Sequence, residues 1–262
     1  MDATLIVLFL AGFASLLAYL WVNDHVVTSG GKVPVKYFGW PDAIVCGLFV
    51  LYFILLSLPR PQRELHESDL VDNAVVELAC ASFLCSFLYF RGFDMVEQFG
   101  LRGLLRPDKT VGKGLLFLAI FLPMFLCVQT ITLMVLKDQA KEQELLVFFS
   151  DAVRDGNRRA VVYMFVTGVV VAPLVEELIF RGYVYGALKR YLGLVPGVLL
   201  NAGLFGAVHG ATAFPALFLF AVCLTLAYEF TGCLFVNITM HSVFNLCSLT
   251  LAYYQSLPKP HP

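Results

Sequence analysis

The sequence is short of charged residues: Asp, Glu, Lys and Arg together make up 14% of its 262 residues, and the net charge is −1. A soluble domain usually carries about a quarter. No cluster of lysine and arginine is interleaved with aromatic residues, so we expect no nucleic-acid partner. The seven cysteines form no CxxC pair. Most of them lie in apolar runs, where we expect small buried hydrophobic residues.

Apolar residues are correspondingly frequent. They make up 59% of the chain, and the mean hydropathy is +0.80. Since a bilayer is crossed by about 20 apolar residues, the composition predicts an all-α, polytopic integral membrane protein with a bundle of about eight transmembrane helices. The first run lacks the basic region of a cleavable signal, so we expect it to be retained as a span. The predicted spans are Thr4–Val22, Asp42–Leu58, Ala74–Phe90, Gly112–Leu136, Ala160–Leu178, Leu194–His209, Phe214–Phe230 and Leu234–Tyr254.

The simplest domain organisation is one membrane domain over residues 1–262. Within it, residues 1–111 hold three spans and a basic connector, and residues 112–255 hold spans four to eight. The charged segment after the fourth span contains an apolar pattern, Leu145–Phe149 with Val153, that predicts a short interfacial helix.

The first polar constellation lies inside the apolar stretch Val161–Arg190. Charges at membrane depth are costly, about 2.5 kcal/mol or more each on insertion scales, so they seldom occur without a use. Glu177 and Arg181 are spaced i,i+4 on one helix face and predict an ion pair. Glu176 points about 100° away and is free to face a cavity, beside a bend expected at Pro173. A structural ion pair with one spare carboxylate is the alternative interpretation.

A second constellation ends the sixth span at His209. Alone, a histidine at a helix end is more often structural than catalytic. Small residues at Gly203 and Gly206 predict close packing against another helix. We expect Gly182 and Gly186 to provide the matching surface.

The third constellation consists of Asn237, His241 and Asn245, which the i,i+4 spacing places on one face of the last helix. That face is expected to look inward, because polar groups facing lipid are costly. Hydrogen bonds that join helices are the alternative role. Together, the three constellations place carboxylates and two histidines on three helices. A carboxylate can activate water, and imidazole and amide groups can stabilise an oxyanion, so the set indicates hydrolysis.

These residues resemble the CPBP family of intramembrane proteases, also called the CAAX prenyl protease 2 or Abi family. That family shows EExxxR, FxxxH and HxxxN motifs on successive core helices. The resemblance is strongest over residues 161–248 and fainter at Phe99–Arg102. The matching residues are Glu176, Glu177, Arg181, Phe205, His209, His241 and Asn245.

The resemblance implies a membrane-embedded endopeptidase with an intramembrane cavity, and it makes residues 112–255 the catalytic core. Glu176 and His209 would activate water, and His241 and Asn245 would stabilise the oxyanion. Glu177 and Arg181 would support the site.

The family is commonly labelled metalloprotease, but we favour a mechanism that requires no metal or other cofactor. If zinc were bound, its ligands would be Glu176, His209 and His241, with a fourth position open. The sequence contains no HExxH, GxSxG or GxGD motif, so those zinc, serine and aspartyl protease signatures are absent.

The expected partners are the lipid bilayer and a peptide or protein substrate, prenylated or not. The expected location is a bacterial plasma membrane. A non-catalytic scaffold or bacteriocin-immunity protein of the same fold is the main alternative. A proton-coupled transporter is a further alternative, which would predict repeat symmetry and interrupted helices in both halves of the chain.

Overall fold

The computed structural model describes residues 3–58, 65–137 and 144–257, and all regular secondary structure in these ranges is helical. A 3₁₀ turn, Leu101–Leu105, precedes the fifth helix. The helices are α1 (Ala3–Ser29), α2 (Trp40–Ser57), α3 (Glu67–Phe90), α4 (Met95–Gln98), α5 (Pro107–Leu136), α6 (Glu144–Arg154), α7 (Arg158–Leu192), α8 (Leu194–Ala207), α9 (Phe214–Thr231) and α10 (Leu234–Ser256).

Seven of the described helices are long and apolar enough to cross a bilayer, namely α1, α2, α3, α5, α7, α9 and α10. The predicted all-α, multi-pass membrane bundle is therefore confirmed. The predicted number of eight spans needs a correction at α8, which has 14 residues. At 1.5 Å per residue such a helix is shorter than the hydrocarbon core is thick.

Helix α7 is the longest, at 35 residues. The predicted end of this span at Leu178 is wrong, because the charge of Arg181 is neutralised within the helix and does not stop it. Two π-helical segments, Thr167–Val171 and Glu177–Val184, lie on either side of Pro173. Proline has no backbone N–H to donate, so the helix passes it with a shifted hydrogen-bond register.

The other helix ends follow ordinary local rules. Pro107 opens α5, where a missing N–H costs nothing. The side chain of Asn157 caps α7 by accepting from the Ala160 N–H at 3.2 Å. Gly232, with φ of 68°, separates α9 from α10. The predicted short helix after the fourth span is present as α6, and its Phe149 is fully buried against α7 and α10.

The bundle packs around α7. Helices α2 and α3 cover one side of it, and α8 and α10 cover the other. The buried aromatic side chains of Phe180, Tyr183 and Phe205 form the centre of this core. A second core, around Phe121 and Phe220, joins α1 and α5 to α9 and α10. The polar faces of α7 and α10 are thereby held inside the protein.

The α4 segment docks directly onto the C-terminal helices. A Cβ added to Gly100, whose φ is 62°, would lie 1.8 Å from the Gly232 carbonyl oxygen. The predicted pairing of Gly182 and Gly186 with the small residues of α8 is wrong. Gly182 instead faces the ring of Phe99, and Gly186 faces Phe38 in the α1–α2 loop. Large aromatic rings from distant segments fill the space that these glycines leave.

Candidate active site

The polar residues of α7, α8 and α10 meet in the middle of the bundle. A cavity of about 210 Å³ opens beside Glu176 at the junction of α2, α3, α7 and the end of α8. Its polar lining includes Glu176, His209 and a third ionisable residue, Glu77 of α3. Aromatic and aliphatic side chains form most of the remaining wall.

Glu177 lies at the centre of the buried polar network, with an exposed fraction of 0%. Its Oε1 accepts from Arg181 Nη1 at 3.0 Å and pairs with His241 Nδ1 at 2.9 Å. Its Oε2 accepts from Asn237 Nδ2 at 3.4 Å, and the same amide nitrogen donates to the Leu224 carbonyl at 2.7 Å. The predicted ion pair of Glu177 with Arg181 is thus present, and it also holds α10 against α7.

The environment of Glu176, the residue before Glu177, differs from that of Glu177. The Oε2 atom of Glu176 is buried and has no hydrogen-bond partner among the described residues. The Nε2 atom of His241 lies 3.9 Å from that oxygen, which is too far for a direct hydrogen bond. The Glu176 side chain as a whole is 22% exposed and lines the cavity.

His209 is fixed through one ring nitrogen. Its Nδ1 lies 2.7 Å from the carbonyl oxygen of Phe205. A carbonyl can only accept, so Nδ1 carries the proton, and Nε2 of a neutral ring is an acceptor. The ring packs on Phe205 at a centroid distance of 4.7 Å, while the Arg181 guanidinium lies over Phe205 at 4.4 Å. The phenylalanine of the FxxxH pattern therefore separates the buried cation from His209.

Asn245 lies one helical turn beyond His241. Its Nδ2 donates to the Gly168 carbonyl at 2.8 Å, at the first π-helical segment of α7. One of the two amide hydrogens is used in this way. The structure therefore brings Glu176, Glu177, Arg181 and His241 into one cluster. His209 shares the Glu176 cavity, and Asn245 is tied to α7 a turn away.

The site does not fit a three-ligand metal centre. Within residues 3–58, 65–137 and 144–257, no three His, Cys, Asp or Glu side chains are grouped closely enough to hold one ion. The Nδ1 atom of His241 is bonded to Glu177 and that of His209 to a backbone carbonyl, which leaves both Nε2 atoms free, as in many histidine metal ligands. The side chains of Glu176, His209 and His241 are nevertheless not grouped closely enough to hold one ion in this structure.

Glu77 and Glu229 are acidic residues that lie outside the sequence-predicted set. Glu77 shares the cavity with Glu176. Glu229 on α9 is fully buried and accepts from Tyr185, Lys189 and the Val33 N–H, away from the cavity. Both lie within predicted apolar spans, so the signal that could have identified them is a carboxylate at membrane depth.

A separate apolar crevice of about 440 Å³ lies between α3, α4, α7 and the start of α10. Its wall is made of hydrophobic side chains such as Leu78, Phe99, Leu178 and Ile238. Val175 belongs to both the crevice and the polar cavity. An apolar and a polar recess are thus adjacent along α7.

The fold and the site together define a multi-pass integral membrane protein with a carboxylate–histidine cluster within its bundle. Residues 158–247 match the family model described as Rce1-like, type II CAAX prenyl endopeptidase Rce1-like. The match confirms the resemblance to the CPBP family of CAAX-type membrane proteases, and it spans α7, α8, α9 and the first part of α10. No curated protein and no solved structure matches the chain.

Proposed function

We propose that the protein is an intramembrane endopeptidase that hydrolyses a peptide bond with a water activated by Glu176. One observation carries the proposal: the buried Glu176 Oε2, without a hydrogen-bond partner in the described ranges, lies 3.9 Å from His241 Nε2. The unbonded carboxylate is available as a base for a water molecule that enters the cavity. Water and peptide carbonyl would meet at this point.

The bond from His241 to Glu177 supports a role for His241 as an oxyanion donor. A carboxylate oxygen can only accept, so Nδ1 carries a proton, and in the imidazolium form Nε2 carries one as well. In the proposed role, the Nε2–H of the imidazolium form is the donor to the oxyanion.

The proposed reaction has two steps. In the first, Glu176 takes a proton from the water, whose oxygen forms a bond to the carbonyl carbon. The resulting oxyanion accepts hydrogen bonds from His241 Nε2–H and from the remaining amide hydrogen of Asn245. In the second, protonated Glu176 donates its proton to the amide nitrogen as the C–N bond breaks. The products are a carboxylic acid and an amine, which exchange a proton to give a carboxylate and an ammonium group, and Glu176 returns to its ionised form.

His209 assists the first step in this proposal. Its Nε2 is available as an acceptor, because Nδ1 is held by the Phe205 carbonyl. We propose that it orients the water through one of the water's two hydrogens while Glu176 receives the other. The proposed steps use no metal ion.

We propose a lipid-modified or membrane-associated peptide as the substrate class. The apolar crevice beside the cavity suits a hydrocarbon chain, since its lining is almost entirely apolar. Its shared wall at Val175 would bring a chain bound in the crevice close to the cavity in which the peptide is cut. A prenyl group attached near the scissile bond fits this arrangement.

The test is cleavage of a prenylated peptide and a mixed peptide library by the purified protein. Wild type is compared with Glu176→Gln, which keeps the side-chain volume, and with Asp72→Asn, a matched change at an exposed position of α3. Loss of about 10²–10⁴-fold in Glu176→Gln, but not in Asp72→Asn, is expected for loss of a general base. Activity should also survive a chelator.

Three outcomes would contradict the proposal. Retained activity in Glu176→Gln would remove Glu176 from the chemistry. Activity lost on chelation and restored by zinc would make the histidines ligands. A folded wild type that cuts no peptide would favour the non-catalytic scaffold.

A further inference from the structure

Glu77 is an ionisable residue that the proposed mechanism leaves unused. It lies near the middle of α3, a helix that meets the length and hydropathy of a membrane span, and it is half-buried. It belongs to none of the three motifs and lies outside the matched residues 158–247. A carboxylate at membrane depth is costly unless it faces a cavity or a partner.

The surroundings of Glu77 show that it faces a cavity and not a charged partner among the described residues. Its side chain lines the 210 Å³ cavity together with Glu176 and His209. No lysine or arginine is among the described residues that line this cavity. Among the described ranges, no ion pair involves Glu77. The cation of the site cluster, Arg181, is already bonded to Glu177.

Among the described residues, the cavity therefore presents two acidic side chains and no fixed cation to an entering substrate. Most of the remaining wall is apolar, with aromatic residues such as Phe49 and Phe53. Charges interact more strongly beside such a wall than in water, because the local dielectric constant is lower. An entering anionic group is repelled, and an entering cation can be bonded by Glu77.

We propose that Glu77 is a specificity-determining residue that selects substrates with a lysine or arginine side chain next to the scissile bond. The inference rests on the proposed function and goes beyond it, since it names the charge of the preferred peptide. Glu176 remains free for its role with water while Glu77, on the opposite helix, binds the cationic side chain.

The first experiment measures binding separately from catalysis. Three labelled apolar peptides, identical except for a central Lys, Met or Glu, are titrated against Glu176→Gln protein, in which Glu77 is the acidic residue left in the described lining of the cavity. The Lys peptide should bind about tenfold more tightly than the Met peptide, as expected for a hydrogen bond to a charged group. Adding Glu77→Gln should abolish the difference, and adding the control Asp72→Asn should preserve it.

The second experiment measures cleavage of the same peptides by wild type, Glu77→Gln and Glu77→Lys. The ratio of kcat/KM for the Lys peptide over the Glu peptide should fall in Glu77→Gln and invert in Glu77→Lys. If Glu77→Lys does not fold, the conservative Glu77→Gln still gives the ratio.

The outcomes distinguish the two proposals. A Glu77-dependent binding preference in a protein that cleaves nothing would support the cation site and overturn the proposed protease. Cleavage and binding without any charge preference would overturn the cation site alone. An equal fall in kcat for all three peptides in Glu77→Gln would also overturn it, since it would indicate that Glu77 handles a proton of the reaction.

Discussion

Glu177 and His241 are joined across the interface of α7 and α10, with the Glu177 Oε1 atom 2.9 Å from His241 Nδ1. The same oxygen also accepts from Arg181 at 3.0 Å. The Glu177 carboxylate thus orients the His241 ring on α10. It also neutralises the Arg181 guanidinium, which lies one turn further along α7. As a result, His241 Nε2 is directed towards Glu176.

Replacing Arg181 with alanine should strongly destabilise the protein. Arg181 and Glu177 are both fully buried, and breaking a buried pair leaves an uncompensated charge, which costs about 3–5 kcal/mol. The control is Arg154→Ala, which removes an exposed arginine paired with Asp151 at 3.3 Å. Exposed pairs contribute about 0–1 kcal/mol. Thermal unfolding in detergent measures both, and similar shifts for the two variants would argue against a structural role for the buried pair.

Replacing Asn245 with alanine should lower kcat more than it changes KM. Loss of one oxyanion donor costs about 10²–10³-fold, because the missing hydrogen bond forms fully only in the transition state. Ser248→Ala is the matched control on the same helix, since its hydroxyl bonds only to the Phe244 carbonyl among the described residues. Steady-state cleavage assays separate the two parameters. A change confined to KM would assign Asn245 to substrate binding or to packing against Gly168.

Replacing Gly100 with alanine should detach the α4 segment from the C-terminal helices. The residue has a φ of 62°, and its new Cβ would lie 1.8 Å from the Gly232 oxygen. Strain at a left-handed position costs about 1–3 kcal/mol, and the overlap adds to it. Gly112→Ala, with nothing within 4 Å of its Cβ in α5, should instead be neutral or slightly stabilising. Unfolding midpoints give the comparison, and equal midpoints would contradict the docking.

Replacing Glu229 with alanine should release the α1–α2 loop. Glu229 accepts from Tyr185 at 2.5 Å, Lys189 at 2.7 Å and the Val33 N–H at 3.0 Å, and it is fully buried. Loss of such a buried network costs about 3–5 kcal/mol. Tryptic cleavage after Lys32 or Lys36 should become faster.

The control for this loop is Glu97→Ala. Glu97 bonds to Lys36 at 2.7 Å, but this pair is exposed to solvent. Exposed ion pairs stabilise little, so cleavage of the loop should change only slightly. Equal acceleration in both variants would show that burial of Glu229 is not what holds the loop.

Some features followed directly from local sequence. The spans were predictable because apolar length is a property of a single segment. The ion pair of Glu177 with Arg181 was predictable because residues four apart share a helix face. The polar stripe of Asn237, His241 and Asn245 followed from the same periodicity. The CAAX-protease resemblance rests on those spacings, and the family match confirms it over residues 158–247.

Other features depended on which helices meet. The continuation of α7 beyond Leu178 depends on packing, because residues 179–184 are buried among the neighbouring helices. The sequence predicts α8 as the partner of Gly182 and Gly186. The structure packs Phe99 and Phe38 against them instead, and both rings come from segments far away in sequence. The sequence does not identify Glu77 as a site residue, because α3 contains no motif. Only the packing of α3 against α7 places the Glu77 side chain in the same cavity as Glu176.

The sequence by itself determined that the protein crosses a membrane as helices and which residues of α7, α8 and α10 are polar at depth. These properties depend on composition and on the period of one helix. Only the tertiary structure decided that His241 faces Glu176 with its second nitrogen, and that Glu77 shares the Glu176 cavity. Distances between helices depend on packing among side chains that are remote in sequence, which no single segment encodes.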